Sequence, residues 1–421
     1  MKKIIIILIL FPCYSHCISN ENLGRILHIS DIHLDTRYHI GGVDNCVLGD
    51  TGMGCCRKYD IPKKPYGYAS EWGNYNCDSP IKLVNETFRW IRNNIHIDAI
   101  IYTGDAVDHH DVTQTIGYNL EEIETVFQLF HEYFSDIPLF HTLGNHDTYP
   151  IDQTPPYIYS IFLNEYNSLN IKSGGLRSQN KTLLEGGYFY DYFNVGDSKK
   201  KIKVISLNTM YYDTNNLFTK YSKNNDIKGQ WAWLDNELNK SSVAGEKVWL
   251  LLHIPPSNDK EDESYKKRFI SYLTKYKDTV VATFSGHIHS DNYKLYFDRV
   301  GDLVGFGTIP SSIMPNKINP SFRVIEYNKR DGKLLNYKQY YADLNDTIKN
   351  GVIDYILNYD FRELYGVDDF SKESFLQIYH NMRMNSTVLN KYWTYNKPDG
   401  IIKTCSGACR SSLFNDILIR N

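Results

Sequence analysis

Five short blocks of acid, amide and imidazole recur along the chain: Asp31-Ile32-His33, Gly104-Asp105, Gly144-Asn145-His146-Asp147, His253 and Gly286-His287-Ile288-His289. Each alone is a weak signal, because an isolated Asp-x-His is more often a surface pair and a single histidine more often a hydrogen-bonded core residue. Together, each at the end of a β-rich run, they do not read as packing. Buried imidazoles and carboxylates need partners, and metal ions are the natural ones. On extended chain a two-residue spacing turns Asp31 and His33 to one side, and likewise His287 and His289. Asp105 has two oxygens with which to bridge a pair of ions. Two divalent cations roughly 3.5 to 4 Å apart polarise a phosphoryl group and generate hydroxide near neutral pH. Histidines with carboxylates and one amide suit zinc, with manganese or iron as the other candidates, better than magnesium or calcium. Two such cations against two carboxylates and a hydroxide leave a charge of about +1, which one phosphodiester anion cancels.

The elements that must position these blocks alternate. Strands are expected at Arg25 to Ser30, Asp98 to Thr103, Pro138 to Leu143, Lys203 to Leu207, Val248 to Leu252 and Val280 to Phe284. Between them run helical patterns. One has Ile81, Val84, Phe88, Ile91 and Ile95 on one face, another Leu120, Ile123, Phe127, Phe130 and Phe134, and two more cover about 230–239 and 265–276. Strand, helix, strand in repetition implies a largely parallel sheet covered on both faces, whose ligands gather at the carboxyl ends of the strands. From Tyr293 to Tyr341 short strands with Gly, Pro and Asn turns imply an antiparallel sheet completing a sandwich. Residues 345–421 read as a helical subdomain packed on a core of residues 18–344.

The chain has 421 residues, 42% hydrophobic, 23% charged and 14% aromatic, with a net charge of −3. That composition excludes a disordered, fibrous or coiled-coil protein, and it supplies no basic field for a nucleic acid polymer. Lys2 and Lys3 precede the apolar run Ile4 to Phe11, and Ser15 and Cys17 follow, which reads as a signal peptide over residues 1–17. The run is too short for a stable membrane anchor. The expected destination is secretion or the lysosomal lumen, and a monomer is expected. Past the leader remain Cys46, Cys55, Cys56, Cys77, Cys405 and Cys409, an even set suited to an oxidising compartment. Cys405 and Cys409 are close in sequence and expected to pair, while the other four crowd a loop that a zinc knuckle would rival as a reading. Sequons stand at Asn85, Asn180, Asn239, Asn345 and Asn385 and are compatible with surface glycans.

The five blocks resemble the calcineurin-like metallophosphoesterase superfamily. The four-cysteine loop, Ser206-Leu207-Asn208-Thr209, His253-Ile254-Pro255-Pro256 and the Cys405, Cys409 pair resemble its acid sphingomyelinase-like phosphodiesterase branch. The resemblance spans nearly the whole chain past the leader and implies a four-layer αββα sandwich holding two zinc ions. It implies Asp31, His33 and His289 on one ion, Asn145, His253 and His287 on the other, and Asp105 bridging. His146 would donate a proton to the leaving group or hold the oxyanion, and either His109 or His110 would contact the phosphate. The implied disulfides are Cys46 with Cys55, Cys56 with Cys77, and Cys405 with Cys409.

Acid sphingomyelinases carry a saposin-like module ahead of the catalytic region, and Asp31 falls only fourteen residues after Cys17. The expectation is therefore a phosphodiesterase using metal-activated water on soluble small-molecule phosphate esters such as ATP, ADP or CDP-choline. Sphingomyelin hydrolysis to phosphocholine and ceramide is the alternative, and a non-catalytic secreted binding protein the second. Trp231, Trp233 and Leu234 read as core packing rather than a stacking platform.

Overall fold

The computed structural model describes residues 22–47, 54–169, 180–222, 224–258, 263–315, 317–398 and 403–421. The leader expected at residues 1–17 and the Asn180 side chain lie outside the described residues. In chain order the elements are β1 (Leu23–Ile29), α1 (Ile81–Asn94), β2 (Ala99–Tyr102), α2 (Ile116–Phe134), β3 (Leu139–His141), α3 (Tyr157–Leu169), α4 (Asn180–Gly186), β4 (Phe189–Asn194), β5 (Lys201–Ser206), α5 (Gln230–Ala244), β6 (Lys247–Leu251), α6 (Glu263–Lys275) and β7 (Val280–Phe284). There follow β8 (Asn292–Phe297), β9 (Leu303–Ile309), β10 (Ser321–Asn328), β11 (Leu334–Tyr341), α7 (Leu344–Asn350), β12 (Ile356–Asp360), α8 (Phe361–Tyr365), α9 (Lys372–Met384), α10 (Ser386–Asn396), α11 (Ala408–Ile417) and β13 (Leu418–Arg420).

The strands form two mixed sheets, ordered β12-β11-β10-β1-β2-β3 and β13-β8-β9-β7-β6-β5-β4. Alternation along each central strand shows how they stack. Ile26, Ala99, Ile101 and Phe140 of the first sheet face Trp249, Leu251, Ala282 and Phe284 of the second in one interlayer core. Their neighbours Leu27, Ile100, Tyr102 and Leu139 turn outward onto Phe88, Ile91, Phe127 and Phe130 of α1 and α2. Val248 and Leu250 likewise turn outward onto Leu234, Leu238, Phe269 and Ile270 of α5 and α6, where Trp231 is also buried. Burial on both faces is why these strands read as unbroken apolar runs. The result is helix, sheet, sheet, helix. Thr115 caps α2 by accepting from the Tyr118 N–H, and α5 is bounded by left-handed Gly229 and Gly245.

Two expectations change. The short strands from residue 293 onward do not make one antiparallel sheet. The β8–β9 hairpin joins the second sheet with β9 parallel to β7, and the β10–β11 hairpin covers the open edge of β1. A hairpin's pairing is local and legible, whereas the sheet edge it covers is set by which edges remain free. Beyond residue 345 the chain holds helices and also β12 and β13, one at an edge of each sheet. The half-exposed β12 shows no apolar alternation that would announce it.

Disulfides join Cys46 to Cys55, Cys56 to Cys77 and Cys405 to Cys409, so the four-cysteine loop is not a zinc knuckle. Asn239, Asn345 and Asn385 are exposed, while Asn85 is half-buried and accepts a hydrogen bond from the Tyr133 hydroxyl.

Candidate metal centre

Each block lies just past a strand of the parallel set: Asp31 and His33 after β1, Asp105 after β2, Asn145 and His146 after β3, His253 after β6, His287 and His289 after β7. The expected mechanism of convergence is corrected here. Asp31 and His33 are not on extended chain. They adopt φ of 53° and 43°, and Asp105, His287 and His289 adopt 62°, 71° and 59°. Left-handed backbone is uncommon outside glycine and costs energy at each position. It turns each loop back over the strand ends, and bonds between loops hold it: the Asp31, His33 and Leu34 N–H groups donate to the carbonyls of Gly104, Asp105 and Ala106 at 3.0, 3.1 and 2.7 Å. Gly144 permits this closeness, since a Cβ there would fall 2.0 Å from Asp105 Oδ1.

The side chains meet in two groups that share Asp105. Ligand-capable atoms of Asp31, His33, Asp105 and His289 lie within 4.8 Å of one another, as do those of Asp105, His253 and His287. His33 Nε2 is 3.0 Å from His289 Nε2, and His289 Nε2 is 3.6 Å from Asp31 Oδ1. Asp105 Oδ2 is 3.5 Å from His33 Nε2 and 3.1 Å from His253 Nε2. Asn145 Oδ1 completes the second group, 2.9 Å from His253 Nε2 and 3.0 Å from His287 Nδ1.

Proton positions follow from the neighbours. His33 Nδ1 is 2.7 Å from the Val107 carbonyl and His253 Nδ1 is 2.7 Å from the Thr103 carbonyl. A carbonyl only accepts, so both rings carry their proton on Nδ1 and turn an Nε2 lone pair to Asp105. Asn145 donates from Nδ2 to Asp152 Oδ1 at 3.0 Å, which turns its own oxygen inward. Asp105 Oδ2 is buried without a hydrogen-bond partner. Lone pairs facing lone pairs at 2.9 to 3.6 Å repel unless a cation stands between them. Two ligand atoms each about 2.1 Å from one zinc-sized ion stand about 3.0 to 3.4 Å apart, so the donor set fits.

The electrostatics agree. Burial raises the Asp31 carboxyl to about 7 against the pull of His253. Burial pushes His33 and His289 well down, reinforced by His109. For His253, burial acts downward but Asp105 and Asp31 outweigh it and raise the imidazole to about 9, so that with no cation between them a proton takes the place on Nε2 that faces Asp105. These are groups competing for positive charge, a need that a pair of cations meets.

Of the two histidines after Asp105, only His109 joins the cluster. Its ring lies 3.9 Å from that of His33 and 4.2 Å from that of His146, centroid to centroid. His110 turns away to Thr113, with Nδ1 2.9 Å from the hydroxyl. Sequence reasoning missed the partner of His109. Asp78 accepts from the His109 backbone N–H at 3.0 Å and its Nδ1 at 2.6 Å. Burial pushes the His109 imidazole down, but Asp78 outweighs it and the ring is raised. The one signal for Asp78 is its place beside half-cystine Cys77. Burial, followed by His109, pushes His146 down to about 3. Asp147 works through structure, its carboxylate accepting from the N–H groups of Gly144, Ala106 and Asp105.

Next to His109 and Asp78 lies a buried network in which Arg57 pairs with Asp35 at 2.9 Å and Asp108 at 2.8 Å. The Tyr118 hydroxyl, with one proton to give, lies 2.6 Å from Asp108 Oδ2 and 2.5 Å from Glu122 Oε1.

An αββα sandwich with such a cluster at its strand ends defines a class of metal-dependent phosphoesterases, and the comparisons agree. Residues 24–291 match the calcineurin-like phosphoesterase family and residues 307–418 the acid sphingomyelin phosphodiesterase C-terminal region. The chain belongs to the calcineurin-like phosphoesterase family, in its acid sphingomyelinase-like branch. It is 29% identical to Sphingomyelinase phosphodiesterase C of Dictyostelium discoideum over 92% of this chain and 88% of that protein. It is 27% identical to Acid sphingomyelinase-like phosphodiesterase 3b of Homo sapiens over 92% and 86%. To the human Cyclic GMP-AMP phosphodiesterase SMPDL3A it is 28% identical over 89% and 82%.

Proposed function

We propose that this phosphodiesterase is exported and hydrolyses phosphodiester or phosphoanhydride bonds of soluble nucleotide-type substrates. Asp31, His33 and His289 would hold one cation, Asn145, His253 and His287 the other, and Asp105 both. Zinc suits the donor set best. When bound, such a pair of cations polarises the phosphoryl group and makes water nucleophilic near neutral pH. The observation that carries the reading is Asp105 Oδ2, buried, unpartnered and facing the lone pairs of His33 and His253.

The remaining steps fall to the protein's own side chains. Asp78 holds the His109 Nδ1 proton and so turns Nε2 into the cluster. The raised imidazole stays protonated further up the pH scale, and it gives its Nε2 proton to the departing oxygen of a diester. His146, pushed down to about 3, is neutral and offers one N–H to a phosphoryl oxygen. His110 takes no part. A nucleotide substrate accords with the name of the human cyclic GMP-AMP phosphodiesterase, most of whose length this chain matches. Three disulfides support an extracellular or lumenal site of action. Exposed Asn239, Asn345 and Asn385 are the sequons best placed for glycans.

A lipid-linked diester such as sphingomyelin is the second reading. One observation favours it: the disulfide loop that ends at Asp78 exposes Tyr59, Ile61 and Tyr68. A turnover panel of ATP, ADP, AMP, CDP-choline and dispersed sphingomyelin, with metal analysis, tests both. Nucleotide turnover with about two metal ions per chain is expected. Turnover of sphingomyelin alone would reverse the order of the readings, and metal-loaded protein idle on every diester would end both.

A further inference from the structure

The metal centre occupies the carboxyl ends of β6 and β7, and a second concavity lies at the opposite ends of the same strands. A cavity of about 660 Å³ opens there, lined by residues at or next to the starts of β5, β6 and β7, by the β10–β11 turn and by the start of α9. Ligand cavities run from about 300 to 1,000 Å³ and favour seams between structural units. This one lies on such a seam. Residues up to 281, within the phosphoesterase region, form one wall, and residues 331–373, within the C-terminal region, form the other. Its floor is apolar: Ile202, Val280, Phe306, Leu334 and Phe370 are buried in the fold and Val281 half-buried. Every lining residue is among the described residues. Close-packed proteins leave few spaces of this size against apolar side chains, and an apolar occupant gains by filling it.

Six lysines and three carboxylates line the cavity, and their pairing leaves an excess of positive charge. Lys333 meets Asp369 at 2.7 Å, and Lys372 lies 3.9 Å from Glu373. Glu246 accepts from the Ser241 hydroxyl at 2.9 Å and lies 3.6 Å from buried Lys203. Asp331 is exposed and takes the Lys333 N–H at 3.0 Å. Lys200, Lys201, Lys247 and Lys277 are exposed and form no ion pair among the described residues. Lys247 donates to the Asp278 carbonyl at 2.6 Å, and Lys201 stands 5.8 Å from the centre of the Tyr192 ring. The exposed acids next in sequence, Asp197 and Asp278, do not line the cavity. Four ammonium groups thus stand against Asp331 alone. Ser371 is the only neutral polar side chain among the lining residues, and it bonds Ser374, so the walls hold no free neutral side chain with which to read a sugar or a base. An apolar floor with an ammonium rim complements an alkyl chain that ends in an anion. We infer that this cavity binds a single-chain amphipathic anion, a fatty acid or an alkyl phosphate, at a site separate from the metal centre. The inference stands apart from the phosphodiesterase reading.

The test is isothermal titration calorimetry of the disulfide-intact full chain with decanoate, decyl phosphate and decanol, each kept below the concentration at which it aggregates. Both anions are expected to bind, each roughly tenfold or more tightly than decanol, and the tighter of the two identifies the head group. Ala244→Trp, at the exposed end of α5 on the cavity wall, fills the space, and Lys200→Glu with Lys277→Glu reverses charge on its rim. Each variant is expected to weaken decanoate binding by roughly tenfold or more. Melting curves that match the wild type show both variants folded. Absence of binding by the wild type, equal binding of decanol and the anions, or equal binding by wild type and variants would overturn the proposal. So would decanoate binding that vanishes when a chelator strips the metal, since the anion would then sit on the cation pair. Decanoate binding by a protein idle on every diester would support this site and sink the phosphodiesterase reading alone.

Discussion

Asp78→Asn isolates the proposed proton donor from the metal ligands. The Asp78 carboxylate accepts twice from His109, from the backbone N–H at 3.0 Å and from Nδ1 at 2.6 Å. An asparagine has one acceptor oxygen, so one of these donors loses its partner, and the survivor loses the help of a full charge. A hydrogen bond to a charged group is worth about 1.5 to 3 kcal/mol. If that difference is felt in the transition state, kcat falls roughly ten- to 150-fold. The fall should depend on the leaving group: full for a dinucleoside phosphate diester, whose departing sugar oxygen is a poor leaving group without a proton, and small for bis(p-nitrophenyl) phosphate, whose p-nitrophenolate leaves unaided. The pH profile supplies a second readout. Asp78 raises His109, and the protonated form is the active one, so activity holds below the His109 pKa and is lost as pH rises through it. Removing the carboxylate therefore moves the alkaline limb to lower pH. Metal content should not change, because Asp78 bonds His109 and is not among the residues whose ligand atoms meet in the two groups. Equal losses on both substrates, or an alkaline limb that stays in place, would refute the assignment of His109.

Other expectations follow from the same geometry. His253→Ala removes a donor facing Asp105 Oδ2 at 3.1 Å, so metal content by mass spectrometry should drop toward one ion per chain, with turnover falling beyond the roughly 10–100-fold cost of changes one shell out. Burial, then Asp108, raises Glu122 well above the ordinary carboxylate range. The folded chain thus keeps a proton that the unfolded chain releases above about 4.3, and this group's contribution to stability declines as pH rises from there. Glu122→Gln should accordingly melt with the wild type near pH 4 and above it near pH 7, and parallel melting curves across that range would contradict the assignment. Arg57→Met leaves Asp35 and Asp108 buried without their cation and should cost about 3 to 5 kcal/mol in denaturant unfolding. Cys56→Ser with Cys77→Ser opens a loop of sequence separation 21, worth about 3 kcal/mol by loop-closure entropy.

The local sequence carried a great deal here. Five central strands could be read because burial on both faces makes them continuous apolar runs, and α1 and α2 because a single buried face leaves a period of three and four. Every member of the cluster could also be read, because in a parallel sheet the functional side chains must follow strand ends and each block did so. What stayed hidden depends on distant contacts. The choice between His109 and His110 needed Asp78, thirty-one residues earlier. The inward turn of Asn145 needed Asp152. The left-handed backbone of Asp31 and His33 needed the facing loop at Gly104 to Ala106 to hold it. Which sheet each late hairpin joins was likewise a question of free edges. A sequence records which groups can bond and how often apolar side chains recur, but which of two neighbouring imidazoles finds its carboxylate is decided only when separate strands are laid side by side.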